Sequence, residues 1–271
     1  MFYIAFCGKR CYNHFINLRG KISVKKIGFL FATIIMAILF VISASALEPT
    51  GQCGDSVYWN YDSSTDKVII SGTDNMYNYN GGVESPFHNS DIKDAVIEYG
   101  VTRIGNCSFA GCIKLKSITI PDSVTSIGYD AFWNCASLKK ITIPNSITNI
   151  DYQAFAYCSG LYDITLPDSI TSIPIGSFHG CMNLRTVTIP DSITSIGENA
   201  FIYCNSINDV YYSGTIEQWE AIVIGENNDK LAGAFIHCKD GDIKPEKPNL
   251  NFIERISEWF RKLFEKFFGW I

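Results

Sequence analysis

Residues 178–197 read FHGCMNLRTVTIPDSITSIG, and the frame of that stretch returns every 23 residues. Its Phe-x-x-Cys head recurs at Phe109/Cys112, Phe132/Cys135, Phe155/Cys158, Phe178/Cys181 and Phe201/Cys204. The apolar columns keep the same register. Leu115, Leu138, Leu161, Leu184 and Ile207 form one; Ile118, Ile141, Ile164, Val187 and Val210 form the next. Pro121, Pro144, Pro167 and Pro190 follow, and Ile127, Ile150, Ile173 and Ile196 close the unit. A period held without insertion through five units is the signature of stacked structural repeats rather than of a closed globule.

Within a unit, residues 138–144 (LKKITIP) alternate as a short strand around Ile141, Thr142 and Ile143, with Ile141 and Ile143 inward, Thr142 outward and Pro144 ending it. Ser123, Ser146, Ser169 and Ser192 sit two residues after each proline, where a hydroxyl can bond turn backbone. The column Gly105, Gly128, Asp151, Pro174 and Gly197 includes a proline, whose φ is fixed near about −65°, so it demands no positive φ and its glycines read as permissive. One unit is too small to hold itself together. Stacking supplies a shared core and a parallel strand ladder.

At these residues the chain resembles the BspA-type leucine-rich repeat of bacterial surface and secreted proteins. The resemblance covers residues 92–213 and extends loosely to CGDSVYW (53–59) and VYYSGTIEQW (210–219), which are similar to cap segments beside such repeats. It implies a curved parallel-β solenoid and a role in adhesion or ligand binding, and it brings no catalytic residues. The expected fold is a mainly β, leucine-rich-repeat-like solenoid of about six 23-residue rungs.

The N-terminal segment stands apart. Lys25 and Lys26 precede an apolar run over residues 27–42, and Ala44-Ser45-Ala46 is an A-x-A site, so residues 1–46 read as a secretory signal cleaved after Ala46. The run falls short of the roughly 20 residues a spanning helix needs; an uncleaved anchor is the alternative. This predicts a secreted or cell-surface protein. Residues 1–46 carry six Lys/Arg and no acid, leaving 16 basic against 27 acidic residues in the remainder, a net of −11. Such a surface is unsuited to nucleic acid, whose binding relies on dense Lys/Arg.

Of ten cysteines, Cys7 and Cys11 leave with the signal. The five in the repeat column read as small packed hydrophobes, although neighbouring rungs could bring an occasional pair within disulfide reach. Cys53, Cys107 and Cys238 lie outside the column.

The solenoid's two ends need cover. Residues 47–91 read as an N-terminal β cap, in which residues 56–61 and 67–70 form a hairpin, and residues 92–105 as a degenerate first rung opening the solenoid of 92–213. Residues 214–238 read as a helical C-terminal cap: Thr215 and Gln218 form a capping box before Trp219, and Gly225 is the expected helix stop. Residues 239–251, with Pro245 and Pro248, are a linker. From 252 to 271, Phe252, Ile253, Ile256, Trp259, Phe260, Leu263, Phe264, Phe267 and Phe268 recur at the spacing of one wide helical face, and Trp270 follows. This amphipathic helix would lie on a membrane, dock on a partner, fold back on its own solenoid or pair with a second copy. Its net charge of +1 gives little attraction to anionic lipid.

No nucleophile, phosphate-binding or zinc motif is present in the sequence, and neither cofactor nor metal is implied. His88, His179 and His237 fall in turns or caps, with His179 a tolerated exposed variant of its column. The outward strand positions offer an extended surface instead. They are Ser117/Thr119, Lys140/Thr142, Asp163/Thr165, Thr186/Thr188 and Asp209/Tyr211, of which Lys140 through Tyr211 are the candidate ligand-binding residues for a protein or glycan. The convex turns, with Tyr129, Trp133, Tyr152, Tyr157 and Tyr203, are the alternative face. Trp259, Phe260, Leu263, Phe264, Phe267, Phe268 and Trp270 are the candidates for membrane or partner contact. The expectation is a non-enzymatic binding or adhesion protein, with a membrane-associated or self-associating scaffold as the alternative.

Overall fold

The computed structural model describes residues 50–81 and 84–245. The expected signal (1–46) and the expected helix with Trp259, Phe260, Leu263, Phe264, Phe267, Phe268 and Trp270 lie outside the described residues, as does the linker beyond Pro245.

Three antiparallel strands open the described chain: β1 (Thr50–Gly54), β2 (Val57–Asp62) and β3 (Lys67–Gly72). The turn between the last two is built by Asp62, whose carboxylate accepts from the Ser64 N–H and the Thr65 hydroxyl, both at 2.9 Å. Strand β3 then starts a parallel ladder. It pairs with β5 (Asp94–Ile97), and β5 with β7 (Ser117–Thr119). After one weak rung the ladder resumes through β10 (Asp163–Thr165), β12 (Thr186–Ile189), β14 (Asp209–Tyr212) and β16 (Phe235–Cys238), and β17 (Gly241–Ile243) closes its edge antiparallel. The weak rung is the one around Ile141. Ile141 and Ile143 are buried and Thr142 faces out, but the expected strand reduces to an isolated bridge between Thr142 and Thr165.

A second ladder of two- to four-residue strands runs along another side. It comprises β4 (Asp74–Asn75), β6 (Val101–Ile104), β8 (Ser126–Ile127) and β9 (Asn149–Ile150), then β11 (Ser172–Ile173), β13 (Ser195–Ile196) and β15 (Val223–Ile224). The carbonyls of Ile104, Ile127, Ile173 and Ile196 accept from the N–H of Gly128, Asp151, Gly197 and Gly225 at 2.7–2.9 Å. Ile150 has no such donor, because the next rung offers Pro174. Strands β9 and β11 do not pair with each other, and the ladder is interrupted there.

That glycine column also corrects the sequence reading. Its φ values are not positive, as the proline implied, yet the glycines are not merely permissive. A Cβ at Gly197 would stand 2.5 Å from the backbone nitrogen of Ile175, and one at Gly105 would stand 1.9 Å from the Tyr77 carbonyl. Close approach to the preceding rung selects glycine. Positive φ is needed two residues later, at Cys107, Asp130, Gln153, Gly176 and Asn199, and again at Gly111, Asn134, Tyr157, Gly180 and Tyr203.

The core explains the repeat's head. Phe87, Phe109, Phe132, Phe155, Phe178 and Phe201 stack with centroids 5.2–5.5 Å apart and planes within 15° of parallel. Each buried ring contributes about 2–3 kcal/mol of hydrophobic free energy. Trp59 covers the first ring edge-on at 5.8 Å. Each column cysteine donates its thiol to the phenylalanine carbonyl of the preceding rung: Cys112 to Phe87, Cys135 to Phe109, Cys158 to Phe132, Cys181 to Phe155 and Cys204 to Phe178, at 3.0–3.3 Å. These five cysteines, with Cys53 and Cys238, are free thiols. Burial pushes the Cys53 thiol up to about 12, and raises Cys112, Cys135 and Cys181 further. The serine column bonds backwards in the same way, Ser123 to the Val101 carbonyl at 2.8 Å and Ser192 to that of Ile170 at 2.7 Å.

At the far end, Thr215 caps α1 (Ile216–Glu220) with the reciprocal Thr215/Gln218 box. The helix stops at Ala221, not at the expected Gly225, which belongs to the glycine column of the second ladder. The short α2 (Asp229–Ala232) follows and leads into β16.

Candidate binding face

The parallel register of the first ladder lines up its outward side chains in two neighbouring columns. One runs Asp94, Ser117, Asp163, Thr186, Asp209, Phe235, with Lys140 at the intervening rung; the other runs Thr119, Thr142, Thr165, Thr188, Tyr211, His237. All the candidate residues from Lys140 to Tyr211 therefore share one face. The strands put them there because their alternate residues, Ile118, Ile141, Ile164, Val187, Val210 and Ile236, are buried.

The columns change chemistry along their length. Lys140 Nζ lies 3.7 Å from Asp163 Oδ2 and 66% of its side chain is exposed, so the pair is weak. The second oxygen of Asp163, Oδ1, is buried and accepts no hydrogen bond. Then come the threonines Thr165, Thr186 and Thr188, which present hydroxyls and methyls together.

The last two rungs form a compact cluster. Tyr211 and His237 stack with centroids 4.6 Å apart and planes 15° from parallel, and Phe235 leans on the same imidazole at 4.7 Å. His237 Nε2 lies 3.2 Å from Asp209 Oδ1, and its Nδ1 lies 3.1 Å from Asp242 Oδ1 on β17. Both acceptors are satisfied together only by the doubly protonated ring. The hydrogen bond to Asp209, helped by that to Asp242, raises the His237 pKa above 6.5 against a smaller opposing desolvation. Both ring nitrogens are thus committed to carboxylates, and among the described residues no serine, threonine or cysteine is bonded to this histidine. The cluster offers an aromatic plate beside two anionic acceptors, a combination suited to holding a hydroxylated or cationic group rather than to activating a nucleophile.

His237, Asp242 and Phe235 were not among the residues expected at this face. The signal was present: residues 235–238 (FIHC) repeat the pattern of residues 209–212 (DVYY) at a spacing of 26 instead of 23. The insertion containing the helical segment hides it.

The remaining histidines sit elsewhere. His179, expected to be an exposed variant, is half-buried between Tyr157 at 4.7 Å and Tyr203 at 5.5 Å; its Nε2 is buried without a partner, and desolvation lowers its pKa. His88 Nδ1 lies 2.9 Å from the Ala110 carbonyl oxygen. On the alternative face of the turns, Trp133, Tyr157, His179 and Tyr203 form one aromatic stripe and Tyr129 with Tyr152 another.

Comparison with known proteins agrees with this architecture. The profile of the "BspA type Leucine rich repeat region" matches residues 84–208 in six copies. A leucine-rich repeat protein from Eubacterium ventriosum is similar in structure, with a TM-score of 0.55 and 23% identity over 60% of this chain and 44% of its own. A leucine-rich cell surface protein from Faecalibacterium prausnitzii gives a TM-score of 0.50 and 33% identity over 65% of this chain and 42% of its own. The chain spans less than half the length of either. Among curated proteins none matches it.

Proposed function

We propose, from the premise that residues 84–208 are a BspA-type leucine-rich repeat region, that this is a secreted or cell-surface binding protein without enzymatic activity. Its ligand, a surface protein or glycan, lies along the outward columns of the first ladder. The observation that carries this reading is the Asp209/Tyr211/His237 cluster, where the face ends in a stacked aromatic pair flanked by carboxylates. Exposed aromatic plates with neighbouring acceptors recognise sugar rings and Lys- or Arg-bearing loops by stacking and charge-assisted hydrogen bonds. The 33% identical neighbour described as a cell surface protein supports the location.

The test is binding of the full chain to immobilised glycans and surface-protein extracts, with Tyr211→Ala and Asp209→Asn compared against Tyr203→Ala on the face of the turns. A loss of about tenfold (~1.4 kcal/mol) or more for the first two alone supports the strand face; equal binding by all three sinks it.

A second reading makes the chain a membrane- or envelope-associated scaffold attached through residues 252–271, favoured by the apolar periodicity of that segment. Liposome co-sedimentation of the full chain and of a Leu263→Glu/Phe264→Glu variant separates the two readings. Unchanged partitioning argues against attachment through this segment.

A further inference from the structure

A groove of about 720 Å³ crosses the second ladder where that ladder is interrupted. Along successive rungs it is lined by Asp151 and Tyr152, then by Ile173, Pro174 and Ile175, then by Glu198 and Val223. It coincides with the two departures from the glycine column, Asp151 and Pro174.

Successive turns bond Asp130 N–H to the Tyr152 carbonyl, Gln153 to Ile175, Gly176 to Glu198 and Asn199 to Glu226, so Tyr152, Ile175, Glu198 and Glu226 follow one another rung by rung. The outward line therefore passes from aromatic through aliphatic to acidic. Ile175 is 54% exposed and Val223 70%. No Lys, Arg or His lines the groove among the described residues, and neither Asp151 nor Glu198 belongs to any of their ion pairs. An apolar strip with uncompensated carboxylates fits a segment bearing both large apolar side chains and cations.

We propose that the groove is the docking site of residues 252–271 of the same chain. That segment supplies both requirements: the apolar series from Phe252 to Phe268, and Arg255, Arg261, Lys262 and Lys266. These cations alternate with Glu254, Glu258 and Glu265, so the match is of individual cations to individual carboxylates and the apolar series carries most of the fit. Its tether also leaves from the same end of the strand stack. The groove ends at Val223 on β15, the last strand of the second ladder, and β17 lies at the terminal edge of the first. Eight residues separate Ile243 from Phe252, enough to span up to about 30 Å. A short tether of this kind holds a segment at an effective concentration on the order of millimolar, so weak intrinsic complementarity suffices. This surface is separate from the strand face of Tyr211, and either reading can fail alone.

The test uses the full chain with p-benzoylphenylalanine replacing Ile175, irradiated at low protein concentration, digested and sequenced by mass spectrometry. Replacement at Tyr99, 81% exposed, is the background control. The expected result is cross-links from position 175 to residues 252–271 within monomers, at least fivefold above the control. Glu198→Lys and, separately, Leu263→Glu/Phe264→Glu should reduce them by a similar factor. Monomers without such cross-links overturn the proposal, as do cross-links confined to dimers, which would place a second copy in the groove, or cross-links that neither variant weakens.

Discussion

The side-chain oxygen of Asn228 accepts the backbone N–H of Phe201 at 2.9 Å, a bond that Phe109, Phe132, Phe155 and Phe178 give to a backbone carbonyl of the following rung. The same side chain donates to the carbonyls of Gly197, Gly225 and Glu226 at 2.8–3.3 Å. One buried amide thus stands in for a missing rung.

Asn228→Ala strands the buried Phe201 N–H and takes the side-chain donor from the Gly225 carbonyl, while Gly197 and Glu226 keep the backbone donors Ala200 and Asn199; it is expected to cost roughly 2–3 kcal/mol. Urea denaturation checks this. A midpoint indistinguishable from the parent protein would show that water replaces the amide.

The thiol column is expected to be chemically silent in the folded protein. Burial holds Cys112, Cys135 and Cys181 far above the range in which a thiolate forms. Titration with a thiol reagent after denaturation, without reductant, is expected to find at least five free thiols; two or fewer would mean that the column is bridged. Cys158→Ala removes its bond to the Phe132 carbonyl and leaves a small void, at about 1–2 kcal/mol.

Gly197→Ala is expected to destabilise on the order of 2 kcal/mol, because the added methyl meets the rigid backbone of Ile175 rather than a side chain that can swing away. Thermal unfolding of the variant is the measurement. A loss under about 0.5 kcal/mol, the range of ordinary surface changes, would return this column to the permissive reading.

His237 makes the last rung pH-sensitive. Its folded pKa is raised above 6.5, so its stabilising contribution is fully present below the unfolded value and is lost as pH rises through the folded value. Asp209→Asn removes the larger of its two supports and is expected to lower the imidazole pKa, which an NMR titration of the ring protons reads directly. The stability difference between parent and His237→Gln should shrink across the same interval.

The rungs were legible because each residue role recurs at a fixed spacing, and the Phe and Cys columns name their positions outright. What the period could not show lies in its offsets and between its units. Phe87 stacks on Phe109 from 22 residues away, His237 faces Tyr211 from 26, and Ile224 pairs with Ile196 from 28. Insertions of this kind preserve a side chain's place in the solenoid while erasing its place in the count. The glycine column was misread for a different reason: the atom that excludes a methyl at Gly197 belongs to Ile175, 22 residues earlier, and nothing within Gly197's own unit records it. The loss of the ladder at Pro174 was implicit in proline's missing N–H, but only the pairing of Ile150 with its neighbours gave that absence a location.

The near-identical spacing of the six stacked phenylalanines makes the interior rungs interchangeable parts. Duplicating or losing one 23-residue block would lengthen or shorten the surface by a single step, while Trp59 still seals the first ring and Asn228 still finishes the last. The reach of the molecule can therefore change in inheritance without its two ends being reinvented.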